Sequence, residues 1–458
     1  MKKYIISLIV VVAFVLQTYA QDRALTHFNS VPQSIENNPS FTIPYKFYMG
    51  FPGLSSTNIV YQNVFSYSSA VKKRDDDSLY IDPKAFLSEF KKNNLISLET
   101  KLDFLDFGFR VKKNFFYFTQ SLRANLNLWM PGDFMQLLIK GNASFVDEDR
   151  PLETNMLRIN ASAFTETTLG YQRNLTDRIN IGARFKFLLG LANANTKDSY
   201  LYLHTNPGNY FLTANGRFNA GYSTLIDFED ENFKFEPSTL FQNKGFAIDL
   251  GGTYRFSDQL AVGASIHDLG FIKWQTNTQS FEGGLIRDEF VFGGVPLEVL
   301  FIDSRINSDI FKEISDTIMD NFYFTDTTKS AYTTMLPTKV CLDAYYILGK
   351  NNVFGAYYRS DFINGLMLPS LTLSYNRKLG RILQVGASYG IAYQQYNKLG
   401  LGLSLKTGPS HFFITTENIF SFTNVAKMKN IYVHFGYNIV FGKWREALLD
   451  ANRTSVDF

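Results

Sequence analysis

The stretch NFFYFTQSLRANLNLWM, residues 114–130, alternates between two faces for longer than a soluble strand requires. Phe116, Phe118, Leu122, Ala124, Leu126 and Leu128 share one parity; Tyr117, Thr119, Ser121, Arg123, Asn125 and Asn127 share the other. Successive side chains of a strand point to opposite faces, so the segment has one greasy side and one wet side. Half-buried strands of soluble sheets alternate too, but they average about 5–6 residues. A tilted strand crossing the hydrocarbon of a membrane needs about 9–11.

The pattern recurs at Ile179, Ile181, Ala183, Phe185, Phe187, Leu189 and Leu191, again at Leu383 to Ile391, at Leu399 to Leu405, and at Ile431, Val433, Phe435, Tyr437, Ile439 and Phe441. Tight polar connections fall at 110–114, 173–178, 255–259, 348–352, 376–381 and 406–410. Longer excursions lie between them, at about 131–155, 193–243, 275–331, 362–367 and 418–428, with a short connection at 393–398. Short periplasmic turns alternating with long outer loops predict an all-β chain, a transmembrane antiparallel β-barrel of about fourteen strands. A first strand near 55–68 is required for an even count. The segment 193–243 reads as a hairpin above the membrane, with sixteen strands as the alternative.

Composition agrees. The N-terminus, MKKYIISLIVVVAFVLQTYAQ, has Lys2 and Lys3, an apolar core from Tyr4 to Leu16 and small residues before Gln21. It reads as a cleaved secretory signal over 1–20. Removing Lys2 and Lys3 leaves 43 basic residues against 42 acidic ones, a balance that suggests no nucleic-acid partner. Charged residues are 19% of the chain and aromatics 16%, and no later apolar run is long enough for a membrane helix. The lone Cys341 has no internal disulfide partner. These features predict export to the outer membrane, with lipid and lipopolysaccharide as surroundings.

The division expected is a signal peptide at 1–20, an N-terminal segment at 21–54, a barrel at 55–442 and a periplasmic tail at 443–458. Either Phe441 or Phe458 is a candidate closing aromatic, and the tail lacks strand-like alternation. The long extracellular loops carry helical candidates at 82–92, 131–141 and 296–320. Their acidic runs, at 74–77, 147–150 and 227–232, lack calcium-loop spacing and read as solvated surface, with metal bridging to lipopolysaccharide the lesser reading. Trp129, Trp274 and Trp444 all fall at strand ends, where an interfacial belt is expected.

Opposite the lipid parity lie Arg123, Asn125, Asn127, Arg158, Asn160, Glu166, Arg184, Lys186, Asp249, Arg255, Lys339, Asp343, Arg359 and His434. Charges facing lipid near the midplane would cost about 2–4 kcal/mol each, so this parity predicts a polar lumen, either hydrated or plugged. Gly182, Gly251, Gly263, Gly355, Gly386, Gly400 and Gly402 share it, leaving room for a luminal segment or for strand bending. No catalytic, cofactor or metal residues are assigned. There is no G-x-S-x-G elbow and no H-E-x-x-H helix. His267 precedes Asp268, but adjacency in a strand predicts opposite faces, so a barrel hydrolase is the minor alternative.

The segments SVPQSIENNPSFTIPYKFYMGFPGLSS (30–56), AVGASIHDLGFIKW (261–274), GPSHFFITTEN (408–418) and IYVHFGYNIVFG (431–442) resemble a family of Bacteroidota outer-membrane proteins of unknown function, similar in turn to barrels of the PorV and FadL type. The resemblance implies fourteen strands and an inward-folded hatch within 21–54, including Asn38 and Pro39. Ser40 stands where relatives usually have Ala. It implies a non-enzymatic barrel that docks outer-membrane or periplasmic proteins for transport or secretion, as PorV does. The alternative is a FadL-like channel for small or hydrophobic solutes. A soluble all-β protein is the structural competitor.

Overall fold

The computed structural model describes residues 30–147, 152–153, 158–197, 199–208, 212–225, 237–285, 289–290, 301–302, 305–306, 322–326, 330–392 and 395–443, with Thr26 and Phe28. The proposed signal, the tail beyond Lys443 with Trp444, and most of 286–321 lie outside these residues.

Fourteen antiparallel strands close into a barrel. Strand β1 comes in two pieces, Tyr45–Gly50 and Ser56–Gln62. It is followed by β2 (Asn93–Val111), β3 (Asn114–Pro131), β4 (Arg158–Asn174), β5 (Ile179–Thr196), β6 (Lys244–Arg255) and β7 (Leu260–Trp274). The second half comprises β8 (Thr338–Leu348), β9 (Asn352–Ile363), β10 (Leu366–Leu379), β11 (Leu383–Ala392), β12 (Gln395–Thr407), β13 (Ser410–Thr416) and β14 (Asn430–Lys443). Each strand pairs with its sequence neighbours, and β14 closes onto both pieces of β1, as in Phe47↔Phe441 and Ile59↔Val433.

Strand β1 starts at Tyr45, ten residues before the expected barrel boundary at 55. The interruption is local. Leu54 N–H donates to the Phe51 carbonyl at 2.8 Å across Pro52 and Gly53, and Gly53 has φ +78°. Proline followed by a glycine of positive φ is the chemistry of a type II turn, so the strand makes one excursion and resumes its pairing.

The excursion expected at 362–367 is instead a two-residue turn at Asn364 and Gly365, both with positive φ (48° and 76°). Asn-Gly is the residue pair that such hairpin turns favour. Over 193–243 the chain forms a hairpin, Tyr200–Thr205 with Leu212–Thr224, that extends the sheet beyond β5 without another crossing. Gln279–Leu285 and Phe322–Asp326 continue this raised sheet. Short helices form at Pro83–Ser88 and Gly132–Lys140. Within the helical candidate 296–320, however, Phe301–Ile302 pairs with Arg305–Ile306 as a hairpin.

The outer parity is an apolar band: Leu169, Leu373 and Phe185 are 58%, 53% and 47% exposed. Such a continuous greasy surface is stable against lipid and not against water. Together with closure and short turns at one end, it makes the protein an outer-membrane barrel. Among the described residues, Trp129 and Trp274 are not the interfacial aromatics. Trp129 and Trp274 are 1% and 0% exposed and turn inward, where Trp274 Nε1 donates to Thr334 Oγ1 at 2.8 Å. They occupy the luminal parity of their strands, and packing there outweighs any interfacial preference. Tyrosines and phenylalanines near the short turns take the interfacial place, as in the stacked pair Phe109 and Phe116.

Candidate functional site

The barrel lumen is filled in three storeys. At the short-turn end, residues 30–43 fold inward as a short 3-10 turn, Pro32–Glu36, and an extended run. Their polar groups reach many strands. Ser30 Oγ donates to Gln384 Oε1 at 2.5 Å, and Gln33 Nε2 donates to Asp106 at 2.9 Å and Asn438 at 2.8 Å. Asn38 Nδ2 donates to Asp343 at 3.0 Å, and the Ser40 hydroxyl lies 2.6 Å from Thr253 Oγ1. Apolar residues complete the fit: Ile35, Phe41 and Ile43 pack with Tyr45, Tyr48, Phe115, Tyr117 and Val440.

Glycines make the seat. A Cβ at Gly182 would collide with the Pro39 carbonyl, one at Gly251 with Asn38 and Pro39, and one at Gly386 or Gly402 with the Phe28 ring. Only a missing side chain lets the wall approach the segment this closely.

Above the segment lies an ionic storey centred on Asp268, which is 2% exposed. Arg123 donates to both its carboxylate oxygens at 3.0 Å, Lys186 lies 2.5 Å from Oδ1 and Lys339 2.7 Å from Oδ2. Arg123 also holds Glu166 at 2.7 Å. Asp249, fully buried, forms ion pairs with Arg184 Nε at 2.6 Å and with Lys186 Nζ at 2.9 Å. Buried ions persist only when they are compensated, and here each carboxylate has a cation within 3.0 Å.

Asp268 was not expected inside. Register slips between β6 and β7, where Ile248 pairs with Leu269 but Leu250 pairs with Ile266. Asp249 therefore faces two residues, His267 and Asp268. Asp268 takes φ +56°, and its N–H donates to Asp249 Oδ1 at 2.6 Å. A β-bulge breaks strict alternation, and Asp tolerates the left-handed region better than most residues. His267 and Asp268 thus share the lumen, correcting the opposite-face expectation.

The tether between lower and middle storeys is Glu36. Burial opposes its charge, but Lys101 at 2.8 Å holds its carboxyl down to about 2. A polar cavity of about 20 Å³, lined by Glu36, Lys101, Asp106, Glu166 and Arg184, lies beside it.

The upper storey is amide-rich. Asn125 donates to Asn160, Asn160 to Asn364, and Asn364 to Asn195, at 3.2–3.4 Å, while Ser162 donates to Asn125. Arg158 Nη1 donates to the Asn364 carbonyl at 2.9 Å. The tip of the β9–β10 hairpin therefore bends across the mouth to β4 and β5. Its Ile363, Leu366 and Leu368 pack on Leu95 and Trp129.

The remaining expected residues sit apart from the hub. Arg359 pairs with Asp361 at 2.6 Å, His434 lies 2.7 Å from Ser56 Oγ and edge-on to Phe413, and Arg255 ends β6 beside the short turn. Asp343 meets the inward segment through Asn38.

Ser265, His267 and Asp249 superficially resemble a hydrolytic triad. Ser265 Oγ is 2.8 Å from His267 Nε2, but Nδ1 lies 2.7 Å from Arg184 Nη2 and 3.9 Å from Asp249. Arginine can only donate, so Nδ1 accepts and Nε2 carries the proton toward Ser265 and the Asn37 carbonyl. That tautomer cannot take a proton from the serine.

Among solved structures, the chain is similar to the Pseudomonas putida toluene transporter TodX (9% identity, 94% of this chain and 96% of that one, TM-score 0.41). It is similar at the same level to a Pseudomonas aeruginosa FadL homologue (8% identity, 93% and 100%, TM-score 0.41). The translocator domain of the Neisseria meningitidis autotransporter NalP is also similar (7% identity, 90% and 92%, TM-score 0.34). No curated protein matches the chain. A family model does match, over residues 39–417, from the wall-seated Pro39 to the end of the β13 region, and the chain belongs to that family of unknown function, DUF5723.

Proposed function

We propose that the barrel is a gated passage for small or hydrophobic solutes across the outer membrane, closed below by residues 30–43 and above by the tip of the β9–β10 hairpin. One observation carries this reading: the wall presents glycine where the inward segment lies, so a separate piece of chain fills the lumen. A barrel built only as a solid support closes with its own inward side chains. The segment is held mostly by polar contacts to side chains that water can also satisfy, which suits reversible displacement.

The test is solute flux into liposomes, for the intact protein and for a variant lacking residues 30–43. Flux in the variant well above that of the intact barrel is expected; equal flux in both would reject gating by the segment.

Docking of partner proteins is a second reading, supported by the raised sheet. Among the described residues, Phe322–Asp326 pairs on one side only, and such an edge can accept a strand from another chain. Deleting 275–331 should then abolish association with partners recovered from native outer membranes while the barrel stays assembled.

A further inference from the structure

We infer that the short-turn end of the barrel is a cationic collar that binds anionic phospholipid headgroups of the periplasmic leaflet. The charge is concentrated there. The connections RVKKN (110–114), RNLTDR (173–178), RFSD (255–258), GKN (349–351), RKLGR (377–381) and KTG (406–408), with Lys46 and Lys443 on the closing strands, hold thirteen cationic side chains against two acidic ones. The whole chain carries only +3, so everything outside this rim is net acidic.

The distribution is circumferential. Nine of the thirteen are exposed, on four of the six short turns and on the closing strand pair, while Arg110, Arg255, Lys378 and Lys406 continue the luminal parity. A protein partner would need one face of the rim, whereas a ring matches the lipid annulus that surrounds a barrel. Arg173, Arg178, Arg377 and Arg381 are exposed, and Arg173 and Arg377 continue the lipid-facing parity of Leu169 and Leu373.

A second observation fixes the depth of the ring. Lipid-side tyrosines lean their hydroxyls onto the same turns: Tyr171 donates to Asn114 and Tyr375 to Asn352, both at 2.8 Å, and Tyr346 donates to Gln259 at 3.1 Å. Rings in hydrocarbon with hydroxyls at a polar edge mark the membrane interface. The arginines beyond them therefore stand at headgroup level, where guanidinium forks match phosphate oxygens and basic side chains are attracted to anionic surfaces.

The experiment is reconstitution into nanodiscs of phosphatidylethanolamine and phosphatidylglycerol at three to one, followed by stepwise delipidation and mass spectrometry of the lipids retained. Several-fold enrichment of phosphatidylglycerol on the intact barrel is expected, falling toward parity when Arg173, Arg178, Arg377 and Arg381 are all changed to Gln. Barrel assembly in that variant is checked by its migration before and after boiling. As a control, neutralising the outer-loop cations Lys73, Arg74 and Lys84 should leave the enrichment unchanged. No enrichment in the intact protein, no loss in the arginine variant, or equal loss in the control would each overturn the collar. Retained lipid preference with altered recovery of an acidic periplasmic protein would likewise count against lipid as the ligand.

Discussion

A single carboxylate organises the middle of the lumen. Asp268 holds three cations within 3.0 Å, and the low dielectric around it makes both their attraction and their loss large. Asp268→Asn keeps the shape but removes the charge that Arg123, Lys186 and Lys339 share. Leaving buried cations undercompensated costs about 3–5 kcal/mol, and chemical unfolding in detergent should show a loss of that order. An unchanged midpoint would mean that water already screens the cluster. The glycine seat makes a different prediction. Gly251→Val places atoms where Asn38 and Pro39 now lie, so the inward segment should be displaced while strand pairing survives. Raised solute flux with normal barrel migration is the expected result.

Elements carry the features that side-chain parity alone does not describe. The bulge joining β6 and β7 turns two consecutive residues inward, and a second slip in β2 between Asp103 and Leu105 leaves Phe104 and Leu105 both outside. The inward segment is an element of another sort, held by contacts rather than by a ladder, and its Glu36–Lys101 pair makes it sensitive to acid. The Lys101 ammonium holds the buried carboxyl down to about 2, well below the ordinary glutamate range near 4.5. Its contribution is therefore complete above about 4.5 and is lost as pH falls toward 2. Basal flux should stay level from pH 7 to 5 and rise only below that. A rise between pH 8 and 6 would assign the closure to another group.

At the scale of the molecule, closure is independent of the lumen's contents. The seam uses Tyr45–Gly50 and Ser56–Gln62 against β14, none of which belongs to residues 30–43. Deleting that segment should leave a barrel that still migrates anomalously before boiling, whereas deleting Asn430–Lys443 should abolish assembly by exposing two strand edges. Strand positions and the fourteen-strand count were legible in the sequence because a two-residue period repeats over every crossing and each lipid-facing position must be apolar. The polar parity also placed Arg123, Glu166, Arg184, Lys186, Asp249 and Lys339 on one side of the wall. What only the tertiary structure decided was where that regularity is broken and what meets across the lumen. Asp268 enters through a bulge whose signal is a register slip between two strands, Trp129 and Trp274 turn inward because neighbouring strands offer them a packed site, and Asn364 reaches β4 across the mouth. Local periodicity specifies which way a side chain faces; contacts between strands far apart in the chain depend on curvature, closure and register, and these are properties of the assembled barrel.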